Sequence, residues 1–225
     1  MRVEFSVDIK RCLREIRDFD RIRRIYQGNP RYFFNHFPNL EGKSTEEIVE
    51  FFEDNREEIE RKLLKRKNAI EKAWREINDL FFSEIERITG QKWRFGRYEC
   101  HLCSVWAGAY DIYKNNISVF GFFSKVDYLA TIAEELLHLH FWEILKKFGI
   151  RMEDKDWDNF EENFYWQLSE CIPCLIFSYS DVRLKLKFGK YPEWEELKGL
   201  FKKVKQKWET RKGFMDFLKN VLKPL

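Results

Sequence analysis

The stretch TIAEELLHLHFWEIL, Thr131 to Leu145, decides how this chain is read. Its apolar residues Ile132, Ala133, Leu136, Leu137 and Leu139 recur at helical steps, continuing from Leu129, and Glu134 and Glu135 interrupt them. On a helix, residues four apart share a face with Cβ atoms about 5–6 Å apart, so Glu134 and His138 can grip one metal ion. Glu135, one position further round, points beside that ion, where a carboxylate can take a proton from water without being a ligand. His140 lies about 200° round the helix from His138, so the two cannot chelate together, and a packed core histidine is expected there.

A third ligand must come from another segment. Glu170, 32 residues beyond His138, is the best candidate, because YWQLSECIPCLIF is apolar on both sides of it and a buried carboxylate needs a partner. The plainer reading is a solvated helix face carrying two acids and a histidine. The apolar residues around Glu134 and Glu135 oppose it, since they place at least one carboxylate in or near the core. A dinuclear carboxylate site also uses Glu-x-x-His, as in Glu135 to His138, but it needs that motif twice with two further helical glutamates. No second copy is present. The sequence also has no Gly-rich phosphate loop and no Gly-x-Ser-x-Gly elbow.

The segment AEELLHLHF, preceded by sheet-like residues and followed a helix later by LSECIPCLIF, resembles the zincin metallopeptidases, in particular the gluzincin branch. In that family His-Glu-x-x-His supplies two ligands and the general base, and a downstream Glu supplies the third ligand. The resemblance covers roughly Gln91 to Ser178. It implies an α+β fold, mostly helical and zincin-like, with a small antiparallel sheet preceding the active-site helix. It further implies metal ligands at Glu134, His138 and Glu170 and a catalytic base at Glu135. The activity would be hydrolysis of peptide bonds through a metal-activated water, with a peptide or protein as substrate. The departure is Glu134, which stands where the family has its first histidine. The cofactor implied is one divalent metal: the family favours zinc, whereas one imidazole with two carboxylates is a harder donor set that suits Mn or Fe. The alternative is a catalytically inactive zincin-like scaffold, a structural or partner-binding protein in which salt bridges fix the acids.

The rest of the sequence reads as one folded domain over 1–225. Charged residues at 35% and aromatics at 17%, 22 of them Phe, give ample apolar area to bury beneath a charged surface, which excludes a disordered chain. The 41 basic and 38 acidic residues are interspersed, so there is no clear nucleic-acid signal. Abundant Lys, Arg and Glu beside only four Gln lean towards a thermophilic source. The N-terminus has no apolar core of signal-peptide length, and no window approaches the roughly 18 uninterrupted apolar residues of a membrane span. A soluble cytoplasmic protein without a membrane partner is the expectation.

Residues 1–90 read as a helical N-terminal part. VEFSVDI alternates and can form a short strand, after which Cys12, Leu13, Ile16, Phe19, Ile22 and Ile25 mark one helix face ending near Gly28-Asn29-Pro30. Ser44 with Glu47 makes a capping box that opens one long helix, or a helical pair, up to Gly90. Residues 91–178 form the zincin-like core. There, aromatic and β-branched residues up to Phe123 predict two or three antiparallel strands with Asn115-Asn116 at a turn. Ser124 with Asp127 opens the helix of the quoted stretch, and Lys146 to Gly149 ends it. Another helix is expected from about Trp157 to Phe177, kinked or broken at Pro173. Residues 179–225 hold an alternating stretch, VRLKLKF, and one or two amphipathic C-terminal helices between Pro192 and Lys223.

Two Cys-x-x-Cys pairs, Cys100 with Cys103 and Cys171 with Cys174, offer an alternative metal or disulfide site. Their separation is far longer than ribbon spacing. On a strand, Cys100 and Cys103 stand about 10 Å apart and face opposite sides of the sheet. On a helix, Cys171 and Cys174 share one side beside Glu170, so at most one strand cysteine meets that pair, and free buried thiols are expected.

Overall fold

The computed structural model describes residues 1–20, 23, 30–102, 105, 107–151, 163–186, 188 and 197–223. In chain order the elements are β1 (Arg2–Val7), α1 (Ile9–Ile16), α2 (Arg31–His36), α3 (Thr45–Asp54), α4 (Arg56–Arg75), α5 (Asn78–Thr89), β2 (Arg97–Leu102), β3 (Gly108–Asp111), β4 (Asn116–Val119), α6 (Lys125–Lys146), α7 (Phe164–Ser178), α8 (Val182–Leu186), α9 (Lys198–Glu209) and α10 (Phe214–Val221), with a 3-10 turn at Pro38–Leu40. Contacts sort the chain into two compact units, one of Arg2–Glu76 with Arg97–Glu135 and the other of Met1, Ile77–Gly96 and Leu136–Leu225. The α+β class and the helical majority agree with the sequence.

The first unit holds the sheet, in the order β1-β2-β4-β3. β1 runs parallel to β2, from Arg2 opposite Arg97 to Val7 opposite Leu102, and β2 runs parallel to β4. Only β3 and β4 are antiparallel. The expected antiparallel sheet is therefore a mixed one, because period-2 alternation marks a strand but carries no sign of its direction or partner. Asn115 does fall in the turn between β3 and β4, while Asn116 opens β4. Along β2 the alternation is visible: Tyr98, Cys100 and Leu102 are buried, and Arg97, Glu99 and His101 are not. His101 answers Ser6 across the strands, with Nδ1 2.6 Å from its Oγ.

The helices of this unit start where the caps say. Asp8 accepts from Arg11 N at 3.0 Å and opens α1. Ser44 and Glu47 form both bonds of the capping box that opens α3. The single helix or pair expected up to Gly90 is instead three helices, broken at Asn55 and at Glu76-Ile77. The predicted end of the α1 region, with Ile22, Ile25 and Gly28-Asn29, lies outside the described residues. The core here is aromatic: Phe33 meets Phe19, Phe37 and Phe52 with centroids 4.9, 5.1 and 6.0 Å apart. His36 stacks on Phe122 at 4.1 Å.

In the second unit, α7 runs through Pro173 to Ser178, so the expected break does not occur. Proline cannot donate to the carbonyl four residues back, but every residue from Leu168 to Phe177 is buried, and that packing holds the helix together. The Trp157 end of the predicted helix is outside the described residues. The alternating VRLKLKF stretch is helical over Val182–Leu186. Two amphipathic helices, α9 and α10, close the chain, with Trp208 edge-on to Phe217 at 5.3 Å. Among the described residues no helix is long and apolar enough to cross a membrane.

His140 is the packed core histidine the helical angle predicts. It is 2% exposed, lies against Trp93 with centroids 4.3 Å apart, and has Nε2 3.0 Å from Thr89 Oγ1. The Thr89 hydroxyl gives its one proton to Ile85 O at 2.7 Å, so His140 Nε2–H is the donor to it. Burial pushes the His140 pKa from 6.5 down to about 3. The folded protein thus leaves His140 neutral over a range in which the unfolded chain takes up a proton. Stability is therefore full above pH 6.5 and falls as the pH drops from 6.5 towards 3. Thr89→Val, which removes the acceptor, should cost about 1–3 kcal/mol, read as a lower melting temperature at pH 7. Thermal melts of both proteins from pH 3 to pH 8 check the two expectations together.

Candidate metal centre

Two buried helices carry the candidate ligands. Ser124 starts α6: its hydroxyl accepts from Asp127 N at 3.4 Å and donates to Asp127 Oδ2 at 2.5 Å. From Ile132 to Leu145 every residue of α6 is buried except Glu134 and Glu143, which are half-buried. A helix buried all round has no solvent face for its acids. The plainer reading, two acids on a solvated face, therefore fails at Glu135, which is 6% exposed. Asn163 starts α7 by accepting from Tyr165 N at 2.9 Å and Trp166 N at 3.2 Å, and Glu170 follows within that wholly buried run.

His138 and Glu170 meet directly, Nε2 to Oε1 at 3.7 Å. One ligand atom from each of Glu134, His138 and Glu170 lies within 4.8 Å of the other two, and among the described residues no other set of three or more His, Cys, Asp or Glu side chains comes together in this way. Two ionised carboxylates with a neutral imidazole carry a charge of −2. Like charges so close in a buried setting repel unless a cation or a proton sits with them. A divalent cation neutralises the set, and oxygen and imidazole nitrogen are donors it accepts. The residues fit such an ion.

Glu135 lies one residue from the candidate ligand Glu134. Its carboxylate rests against the backbone of Gly108, where a Cβ would fall 2.1 Å from Glu135 Oε1. Reading the sequence for motifs missed Gly108. The available signal was a glycine inside an aromatic strand pattern, which marks a close backbone approach.

Cys100, Cys171 and Cys174 are buried and free, and none belongs to the three-residue group. Burial, with Cys174 and then Glu170 beside it, pushes the Cys171 thiol up to about 12. Burial and then the Glu135 charge push the Cys100 thiol up as well. Thiols held this way stay protonated at neutral pH and are poor metal ligands. Cys103 lies outside the described residues, and Cys12 is disulfide-bonded. His36 and His101 stand apart from the group.

No family model matches the chain, and no curated protein and no solved structure matches it.

Glu134→His supplies a second neutral imidazole, the softer nitrogen donor zinc prefers. It should tighten zinc binding by about tenfold or more, a difference of about 1.4 kcal/mol, in competition against a chelator. Thiol titration of the unfolded chain without reductant should find the thiols of Cys100, Cys171 and Cys174. Cys12 should be among those that appear only after reduction.

Proposed function

We propose that this protein is a metal-dependent, peptidase-like hydrolase with a zincin-like site. The observation that carries the reading is the Glu134, His138 and Glu170 group, whose ligand atoms lie within 4.8 Å of one another on two buried helices, with Glu135 next to it in sequence. Those three residues would hold the ion. When bound, a divalent metal lowers the pKa of water from about 15.7 towards 7 and polarises a carbonyl. Glu135 then has the general-base role: it takes the proton from the attacking water and returns it to the leaving amine. Its burial keeps bulk water from competing for that proton. The substrate class is peptide or protein, as the resemblance to gluzincins implies. Glu134 in place of a histidine adds negative charge beside the ion, weakens it as an electrophile, and moves the preference from zinc towards Mn or Fe.

A second reading has its own support. His138 and Glu170 lie 3.7 Å apart, near enough for protonated His138 to hold Glu170 as an ion pair with no metal at all. On that reading the chain is a catalytically inactive zincin-like scaffold. Metal content after purification without added metal, followed by peptide hydrolysis with Zn, Mn and Fe in turn, separates the two. For the hydrolase, Glu135→Gln should abolish turnover while metal affinity stays within about twofold, because Glu135 is the base and not a ligand. Protein that carries no metal, takes none up and cleaves no peptide would leave the scaffold reading.

A further inference from the structure

We propose that Gly108 is a positioning residue for Glu135: the absent side chain at the start of β3 lets the Glu135 carboxylate lie against the strand and fixes where it stands. This rests on the base role given to Glu135 above. A Cβ built at Gly108 meets Glu135 Oε1 at 2.1 Å, Glu135 Cδ at 2.7 Å and Thr131 Cγ2 at 2.8 Å. By contrast, a Cβ at Gly42, Gly90, Gly96, Gly149, Gly199 or Gly213 would have open space around it. The backbone does not explain the glycine, since the positive-φ glycines are Gly42, Gly90 and Gly149. Space does.

The neighbours decide where the strain of an added methyl would go. Thr131 sits four residues before Glu135 on the same face of α6, is β-branched, and bonds Asp127 O through its hydroxyl at 2.9 Å. It yields little. Gly108 is paired with Val119 across β3 and β4, which holds the strand in register. The end that can move is the Glu135 carboxylate, on a side chain with rotatable bonds. An added methyl therefore displaces the carboxylate and also presses on the Thr131 methyl, so Gly108→Ala lowers both turnover and stability.

The test is Gly108→Ala in the wild type and in a Thr131→Ser, Glu135→Asp background, each loaded with the metal the wild type prefers. Gly108→Ala should lower kcat by about 10²-fold, the scale of a 1 Å misplacement, with KM little changed. Metal content should stay the same, and the melting temperature should fall because the Thr131 contact remains. In the Thr131→Ser, Glu135→Asp background, which removes the Thr131 methyl and draws the carboxylate back, Gly108→Ala should cost nothing further in melting temperature. Equal losses of melting temperature in both backgrounds would overturn the proposal, as would a Gly108→Ala chain that fails to fold and is not restored in that background. Crystal structures of wild type and Gly108→Ala judge the geometry without any substrate: a carboxylate moved by about 1 Å supports the proposal, and one left in place overturns it. A wild type that cleaves no peptide would end the hydrolase reading alone, since the crystallographic comparison would still stand.

Discussion

Glu170 sits in a run of ten buried residues, Leu168 to Phe177, and an ionised carboxylate buried there costs several kcal/mol unless an opposite charge meets it. That constraint orders the rest of the site. His138 comes from a helix that is itself largely buried from Ile132 to Leu145 and that starts at Ser124 and Asp127. Within the sheet unit the first turns of α6 lie close to the sheet. Thr131 and Glu135 do so at Gly108, and the Glu135 charge is felt at Cys100 on β2.

The contrast with the surface ion pairs is instructive. Arg87 binds Glu84 and Asp181, and Lys185 binds the same two acids, in a four-membered network at 2.7–2.9 Å. Each member keeps some contact with water, so each pair contributes little and can be exchanged for others with little effect. The Glu134, His138 and Glu170 group has less freedom, because His138 and Glu170 are buried and Glu134 is half-buried. Whatever neutralises them, a proton or a metal, becomes part of the folded protein.

Much of the helical framework was legible, because caps are local. Ser44 with Glu47 and Ser124 with Asp127 each announce a helix within four residues, and both starts stand. The candidate ligands were legible for a related reason: i to i+4 spacing fixes a shared helix face, and an apolar run around Glu170 requires a partner. The direction of the strands was not legible, since alternation in VEFSVDI looks the same whether its neighbour runs parallel or antiparallel. Nor were the breaks at Asn55 and Glu76-Ile77, where an apolar stripe continues across residues that tertiary packing bends apart. Gly108 was hidden because its importance lies in an atom it lacks, opposite a side chain 27 positions later in the chain.

The parallel pairing of β1 with β2 has a consequence during synthesis. β1 is an outer strand of the sheet, and its one neighbour, β2, begins at Arg97. At about 5–20 residues per second, the ribosome takes about 5–20 s to make the intervening chain. Helices α3 and α4 can satisfy their own backbone groups in that interval, whereas a strand cannot. Phe5 is 8% exposed once paired but has no sheet to cover it until β2 emerges. Arg2 and Glu4, charged and on the face of β1 opposite Phe5, are what discourage the waiting strand from pairing with a neighbouring nascent chain.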